Sequence, residues 1–261
     1  MADADTTDRV IACNGIHNFR DYGGYATPQG RVRTGRFFRS AQHKGADAAD
    51  LARVGALGLA TVIDLRGGTE RRNAPCPRPD GFDADIIALD DETVDRAPHV
   101  EAAQSGMTVE QARKSMTRAY RTMPFRPVLM QLYTRYFDTL SQTDRPSLIH
   151  CLAGKDRTGI AVALFHHIAG VHRDDMIADY LLTNAVGNVD ARVREGGQHI
   201  KIYYGDMGDD ALRMLMSVEA IYLDAAFAQM ADQFGSVDAY LEKGLGVTPE
   251  RRERILARAI A

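Results

Sequence analysis

In the stretch His150-Cys-Leu-Ala-Gly-Lys-Asp-Arg-Thr-Gly159, a thiol and a guanidinium, Cys151 and Arg157, bracket five residues. A loop that short, wrapped around an anion, turns its successive backbone N–H groups inward to form a nest. A helix starting after Arg157 adds its positive end to the same centre. Gly154 permits a turn that a Cβ would hinder. Arg157 presents a planar fork matched to two oxygens of a phosphate. The same field favours a thiolate at Cys151, because helix N-termini and cations lower a thiol's pKa from its usual value of about 8.5. The residues thus describe a nucleophile at the bottom of an anion cradle. The reaction they suit is attack on a phosphate monoester, a phosphocysteine intermediate, and hydrolysis by water. Leu152, Ala153, Gly154 and Lys155 would line the cradle, Thr158 would hydrogen-bond the Cys151 sulfur, and His150 would buttress the loop from the strand side.

Other readings of these residues are weaker. A lone cysteine between a strand and a helix is usually a small buried hydrophobe, but here Gly154, Lys155, Arg157 and Gly159 surround it. A Walker-type loop needs Gly-x4-Gly-Lys-Ser/Thr, and no such string is present. A rhodanese-like sulfur transferase also uses a cysteine loop, yet Arg157 followed by Thr158-Gly159 favours phosphate. His166 and His167 fit packing or surface roles better than ligation. Cys13 and Cys76 carry no local motif, and with no Cys-x-x-Cys a zinc or thioredoxin-like site is not expected. Neither a metal nor a cofactor is called for. Whether Cys13 or Cys76 protects Cys151 through a disulfide stays open.

The loop must be positioned by the strand before it and the helix after it. Ser147–His150 reads as a short strand and residues from about Thr158 to Ala169 as a helix. Arg36–Arg39, Thr61–Leu65 (closed by Gly67-Gly68) and Asp85–Leu89 are further strand candidates. Helical patterns cover Asp47–Leu57, Thr108–Tyr120, Val128–Leu140, Asp174–Asn184, Asp209–Phe227, Val237–Lys243 and Pro249 onward. Strands alternating with helices give an α/β fold: a central, mostly parallel sheet flanked by helices, with a helical C-terminal half. Asp64 and Arg66 end an apolar strand. An aspartate there must be paired, so a buried ionic link ordering the loop is the plain reading and a supporting role at the site the alternative.

The 261 residues carry 32 Lys+Arg against 35 Asp+Glu, with 45% hydrophobic residues. This is ordinary globular composition, long enough to bury about 70–75% of the unfolded surface without a disulfide or structural metal. A formal charge of -3 gives no global pull toward nucleic acid. The N-terminus is acidic and polar, unlike a secretory signal. The apolar run Ile160–Phe165 is far short of the roughly 20 residues that span a bilayer. The expected location is the cytoplasm, with signal-less export not excluded, and the oligomeric state is left open.

The string His-Cys-x5-Arg-Thr-Gly resembles the signature of cysteine-based tyrosine and dual-specificity phosphatases. With Asn18–Gly24, Phe38–Ala41, Val62–Arg66, Ala178–Asn184 and Tyr240–Gly246, it resembles the atypical bacterial tyrosine/dual-specificity phosphatase family typified by mycobacterial PtpB. One departure is Tyr22, where a leucine is common. The resemblance implies the cysteine-phosphatase fold as a single domain over 1–261, no metal, and a helical lid inserted at about 95–126. It implies Asp156 as general acid, with Asp90 or Asp91, directly after a strand, as the rival. Deleting residues 105–122 would then leave a folded core with a more open site. It implies phosphotyrosine as substrate, with phosphoserine/threonine or phosphoinositide as side substrates. Lys155 beside Arg157 suits more than one phosphate. The basic run Arg113, Lys114, Arg118, Arg121 and Arg126 is either a face for anionic partners or a solvated helix face. A phosphatase of a small phosphorylated metabolite is the alternative, and a pseudophosphatase that binds phosphorylated partners is disfavoured by the intact Cys151, Asp156 and Arg157.

Overall fold

The computed structural model describes residues 6–93, 107–194 and 208–261. Its centre is a five-stranded sheet in the order β1 (Arg20–Asp21), β4 (Phe37–Ser40), β7 (Ser147–His150), β5 (Thr61–Asp64), β6 (Asp85–Ile87). β4, β7, β5 and β6 run parallel, and β1 closes one edge antiparallel to β4. A small hairpin, β2 (Ala26–Thr27) and β3 (Gly30–Arg31), lies outside this sheet. The central strands are buried along their whole length, as expected when helices cover both faces of a parallel sheet. Because β7 is in the middle, its last residue, His150, is in register with Ser40 on one side and Asp64 on the other. The loop leaving β7 therefore emerges between the carboxyl ends of two neighbours, the usual ligand crevice of an open α/β sheet.

α1 (Ala48–Ala56) is started by a reciprocal Asp47/Asp50 cap. α4 (Pro127–Gln142) and α5 (Asp156–Ala169) carry the main core. α5 is buried on nearly every side and ends at Gly170, whose φ of 75° is the left-handed conformation of a helix stop. Ile63, Leu65, Ile149, Ile160 and Phe165 belong to one apolar cluster with Tyr133 and Tyr136 of α4, each large side chain contributing roughly 1.5–3 kcal/mol on burial.

The second half is helical, as the pattern predicts, with three differences. The expected helix 174–184 is α6 (Arg173–Leu181) followed by α7 (Thr183–Val186), and helix continues across 189–194 as α8. The expected helix 209–227 is two helices, α9 (Asp209–Met216) and α10 (Ala220–Phe234). Asn184 breaks it: its Oδ1 accepts from the Val218 N–H and its Nδ2 donates to the Val218 carbonyl, both at 2.8 Å, which diverts residue 218 from helical bonding. The segment 237–243 is a short α11 (Val237–Ala239) running into a π-turn at Tyr240–Gly244. α12 (Pro249–Ala259) ends the chain.

Two further helices bear on the site. α2 (Gly68–Asn73) has no apolar periodicity and is absent from the sequence reading. α3 (Val109–Thr122) falls in the expected lid segment, of which 94–106 lies outside the described residues. α3 buries Ala112 and Tyr120, and Arg113 bonds Glu219 at the head of α10 at 2.7 and 3.0 Å. Its basic run is thus partly committed, with Lys114 also paired to Glu110.

Candidate active site

The loop from Cys151 to Lys155 is held from outside by its carbonyls. The Gln42 N–H donates to the Leu152 carbonyl at 3.1 Å. Asn18 Nδ2 donates to the carbonyls of Ala153 (3.4 Å) and Gly154 (2.8 Å), and Arg39 Nη2 also donates to Gly154 at 2.8 Å. In a planar trans peptide the C=O of one residue and the N–H of the next point in opposite directions. Three outward carbonyls therefore turn the N–H groups of Ala153, Gly154 and Lys155 inward, which is the nest the sequence suggests. Gly154 has φ of 64°, and a Cβ there would stand 2.3 Å from the Ser40 carbonyl oxygen. Only glycine permits both the turn and the approach to β4.

Behind the loop is a buried ionic hub. Asp179 of α6 accepts from Arg20 Nε at 3.2 Å and from Arg39 Nη1 at 2.9 Å, and Arg20 also bonds the Asn18 side chain. Burial disfavours the Asp179 carboxylate, but the two arginines outweigh it and hold its pKa well below the usual range. Asn18, Arg20, Arg39 and Asp179 lie in the stretches that carry the family resemblance, yet sequence reasoning assigned them no task. Their task is to clamp the cradle's outer face.

Cys151 opens the loop, 2% exposed, with α5 starting five residues later. Arg157, in the first turn of α5, is braced on all sides but one. Its Nη1 donates to the Leu65 carbonyl (3.1 Å), Thr93 Oγ1 (2.7 Å) and Glu70 Oε2 (2.5 Å), and its Nη2 to Glu70 Oε1 (2.9 Å). The Nε–H and one Nη2–H keep no protein acceptor among the described residues, an edge suited to two phosphate oxygens. Burial works against the guanidinium's charge, but Cys151, Glu70 and Asp156 raise its pKa above the ordinary value. Glu70 in turn has its pKa lowered: burial opposes this and Arg157 wins. Glu70 and Thr93 are two of the residues the sequence reading missed. The one available signal was Glu70 three residues after Gly67, whose N–H it accepts at 3.0 Å to cap α2.

Asp156 lies at the rim. Its Oδ1 accepts from Lys155 Nζ and from the Tyr120 hydroxyl, each at 2.7 Å. Lys155 is buried, which lowers its pKa, while Asp156 acts to raise it. Leu152 is exposed at the mouth. Arg192 of α8 bonds the Met216 carbonyl at 2.8 Å, while its buried Nε and Nη1 have no partner among the described residues. Burial lowers its pKa, and Asp156 and Cys151 act against that fall, so its charge acts on the same centre.

Asp64 and Arg66 form the buried ionic link, with Nη2–Oδ2 at 2.7 Å and Nε–Oδ1 at 2.9 Å. Arg66 Nη1 also holds the Ala74 carbonyl at 2.6 Å, tying down the segment after α2. His150 is wholly buried, 3.7 Å from Asp64 and stacked on His43 at 5.5 Å. Burial first, with Arg66 and Arg78, outweighs Asp64 and brings its pKa to about 4, so it buttresses the strand as a neutral ring. Two expectations do not match the geometry. Thr158 Oγ1 is buried without a hydrogen-bond partner, so the bond to the Cys151 sulfur is not made. Asp90 is 93% exposed at its side chain and engaged by Arg71 at 2.5 Å. Asp91 is likewise exposed. Among the described residues no group of three or more His, Cys, Asp or Glu side chains is placed to hold a metal. The three cysteines are free, and burial and Asp50 push the Cys13 thiol up to about 12, which makes it inert at neutral pH.

Residues 11–261 match the model of a tyrosine phosphatase family. The chain belongs to that family. Triple specificity protein phosphatase PtpB of Mycobacterium tuberculosis is 33% identical over 256 residues, covering 87% of this chain and 91% of its own length. A Cupriavidus necator protein carrying a provisional tyrosine-protein phosphatase name is 33% identical over 91% of this chain and 84% of its own. A tyrosine-protein phosphatase of Nostoc commune is 28% identical over 85% and 73% respectively. As a tyrosine-phosphatase-family enzyme, the chain has a phosphate ester as its class of substrate. Among its described residues no helix is long and apolar enough to cross a membrane.

Proposed function

We propose that the protein hydrolyses phosphotyrosine through a phosphocysteine on Cys151, with phosphoserine/threonine or phosphoinositides as further substrates. The reading rests above all on Arg157: it follows Cys151 by six positions at a helix N-terminus, with Glu70 fixing one edge and its other edge free to face a phosphate. The inward amides of Ala153, Gly154 and Lys155 hold the equatorial oxygens, where charge accumulates as the leaving oxygen departs. Asp156 donates a proton to that oxygen and recovers one from the attacking water. The breadth of substrates is suggested by the triple specificity named for the mycobacterial relative and by two further cations, Lys155 and Arg192, whose charges act near Cys151. Those cations also support the second reading, a small metabolite bearing more than one phosphate. We place the domain as one unit over 1–261, with α3 part of an insertion beside the site, and its work in the cytoplasm.

The test is an acid quench of the enzyme during turnover, followed by mass spectrometry of the Cys151 peptide, alongside a panel of phosphotyrosine peptide, phosphoinositide and soluble phosphometabolites. A phosphoryl adduct on Cys151 that vanishes in Cys151→Ser is expected, with the phosphopeptide the best substrate. Full turnover by Cys151→Ser would sink the mechanism, and a soluble metabolite far ahead of the rest would decide for the second reading.

A further inference from the structure

The carboxylate proposed as the acid is not loose at the rim. Its Oδ1 takes two donors at once, Lys155 Nζ and the Tyr120 hydroxyl, each at 2.7 Å. The Tyr120 oxygen in turn accepts from the Tyr180 hydroxyl at 2.6 Å. Both rings are buried, Tyr120 at 0% and Tyr180 at 1% exposure, and they meet edge to face at 6.3 Å. Tyr222 of α10 packs on Tyr120 at 5.5 Å, and the Tyr180 ring lies so close to Gly159 that a Cβ there would stand 2.9 Å from it. Three elements, α3, α5 and α6, thus converge on one carboxylate oxygen through hydroxyls whose packing fixes their direction. A buried hydroxyl without a partner is costly, so the arrangement Tyr180 to Tyr120 to Asp156 is specified rather than incidental.

We propose that Tyr120, backed by Tyr180, is a positioning residue for the general acid: it pins Oδ1 of Asp156 so that Oδ2 carries the transferable proton toward the leaving oxygen. This rests on the reading of Asp156 given above. The chemistry balances on that oxygen. As the sulfur–phosphorus bond forms and the ester P–O bond breaks, the Oδ2–H bond breaks and its hydrogen bonds to the departing alkoxide or phenolate. The carboxylate left behind already has both donors in place. In the second half, the water oxygen attacks phosphorus, its proton returns to Oδ2, and the thiolate leaves. Burial, with Asp156 next, raises the Tyr120 pKa well above the ordinary value, and burial does the same for Tyr180, so both stay protonated donors throughout. The helix of the insertion is therefore a working part of the site, because it brings the second donor.

Tyr120→Phe tests this. Its kcat for an alkyl phosphate should fall by about ten-fold or more, a part of the roughly 10²–10⁴-fold that a positioned acid supplies. Turnover of an aryl phosphate with a weakly basic leaving group should change by less than about three-fold, since that group needs little proton donation. Tyr180→Phe should shift both readouts in the same direction by less, and it carries the test if Tyr120→Phe folds poorly. In an Asp156→Asn background neither change should alter the alkyl-to-aryl ratio further. Equal losses on both substrates would overturn the positioning role while leaving the acid intact. An Asp156→Asn enzyme that turns over alkyl esters like wild type would overturn both.

Discussion

Glu70 grips Arg157 with both carboxylate oxygens, at 2.5 and 2.9 Å, from a helix only six residues long. The pair fixes the plane of the guanidinium before any substrate arrives, so that less freedom is lost when phosphate binds. Glu70→Gln keeps the shape and loses the charge-assisted fork. Such bonds are worth about 1.5–3 kcal/mol, which translates to a fall in kcat/KM of roughly 10–100-fold. Steady-state kinetics at fixed ionic strength checks it, and a change under two-fold would show that the other braces of Arg157 suffice.

Gly154→Ala should damage the site more than the fold. The new Cβ meets the Ser40 carbonyl at 2.3 Å on a residue with φ of 64°, so the loop must move or unwind. A loss of about 1–3 kcal/mol in stability is expected, with turnover reduced by orders of magnitude because the inward amides no longer converge. Urea unfolding and vanadate affinity measure the two effects separately.

Asp156→Asn and Asp90→Asn should part company. The first is expected to lower turnover of poor leaving groups by roughly two to four orders. The second should stay within about two-fold, because Asp90 is 93% exposed and spends its charge on Arg71. A collapse in Asp90→Asn with near-normal Asp156→Asn would reverse the acid assignment.

Acid should destabilise the protein in a defined window. Burial, against Asp64, sets His150 at about 4 instead of 6.5. Below pH 6.5 the unfolded chain takes up a proton there that the folded chain refuses until about 4, so stability falls across that interval by about 3 kcal/mol. Asp64 is the opposite chemical type with the same sign of effect. Burial disfavours its charge, but His150 and Arg66 hold it at about 2, so its contribution is complete above its unfolded value of 3.8 and is lost toward 2. Stability should be level from pH 7 to 8 and decline steadily below about 6.5. Burial pushes His43 and His166 below 6.5 as well, so His150→Asn should make the decline between 6.5 and 4 shallower without abolishing it, and an unchanged slope in that variant would assign the decline to the other two.

Removing residues 105–122 takes away α3 and with it a buried tyrosine that seals α10 and reaches Asp156. The deletion is expected to lower the thermal midpoint as well as open the mouth, and to cost alkyl esters more than aryl ones. A truncated protein with unchanged melting, kinetics and inhibitor access would refute both the lid and the role of α3 at Asp156.

The nucleophile, the arginine, the strand before them and the helix after them were legible because they lie within one short string whose chemistry is local. The mostly parallel sheet flanked by helices followed from the alternation of apolar runs and helices, but not the order of its strands. What stayed hidden was everything that reaches the loop from a distance. Glu70 lies on a helix with no apolar face to betray it. Thr93 is a lone residue after an exposed turn. Asn18, Arg20, Arg39 and Asp179 were visible as pattern but mute as mechanism, because their use depends on β1, β4 and α6 meeting behind residues 153 and 154. Tyr120 read as part of a polar helix, and its hydroxyl gained meaning only beside Asp156. Asn184 likewise ended a helix that periodicity carried through residue 218.

The hub at Asp179 has a consequence for synthesis. Arg20 and Arg39 are made early, but the carboxylate that binds them comes 159 and 140 positions later. Until α6 is in place, Arg20 and Arg39 carry buried charge with no carboxylate to pair it. The outer wall of the cradle is therefore complete only when the first forty residues and α6 have met.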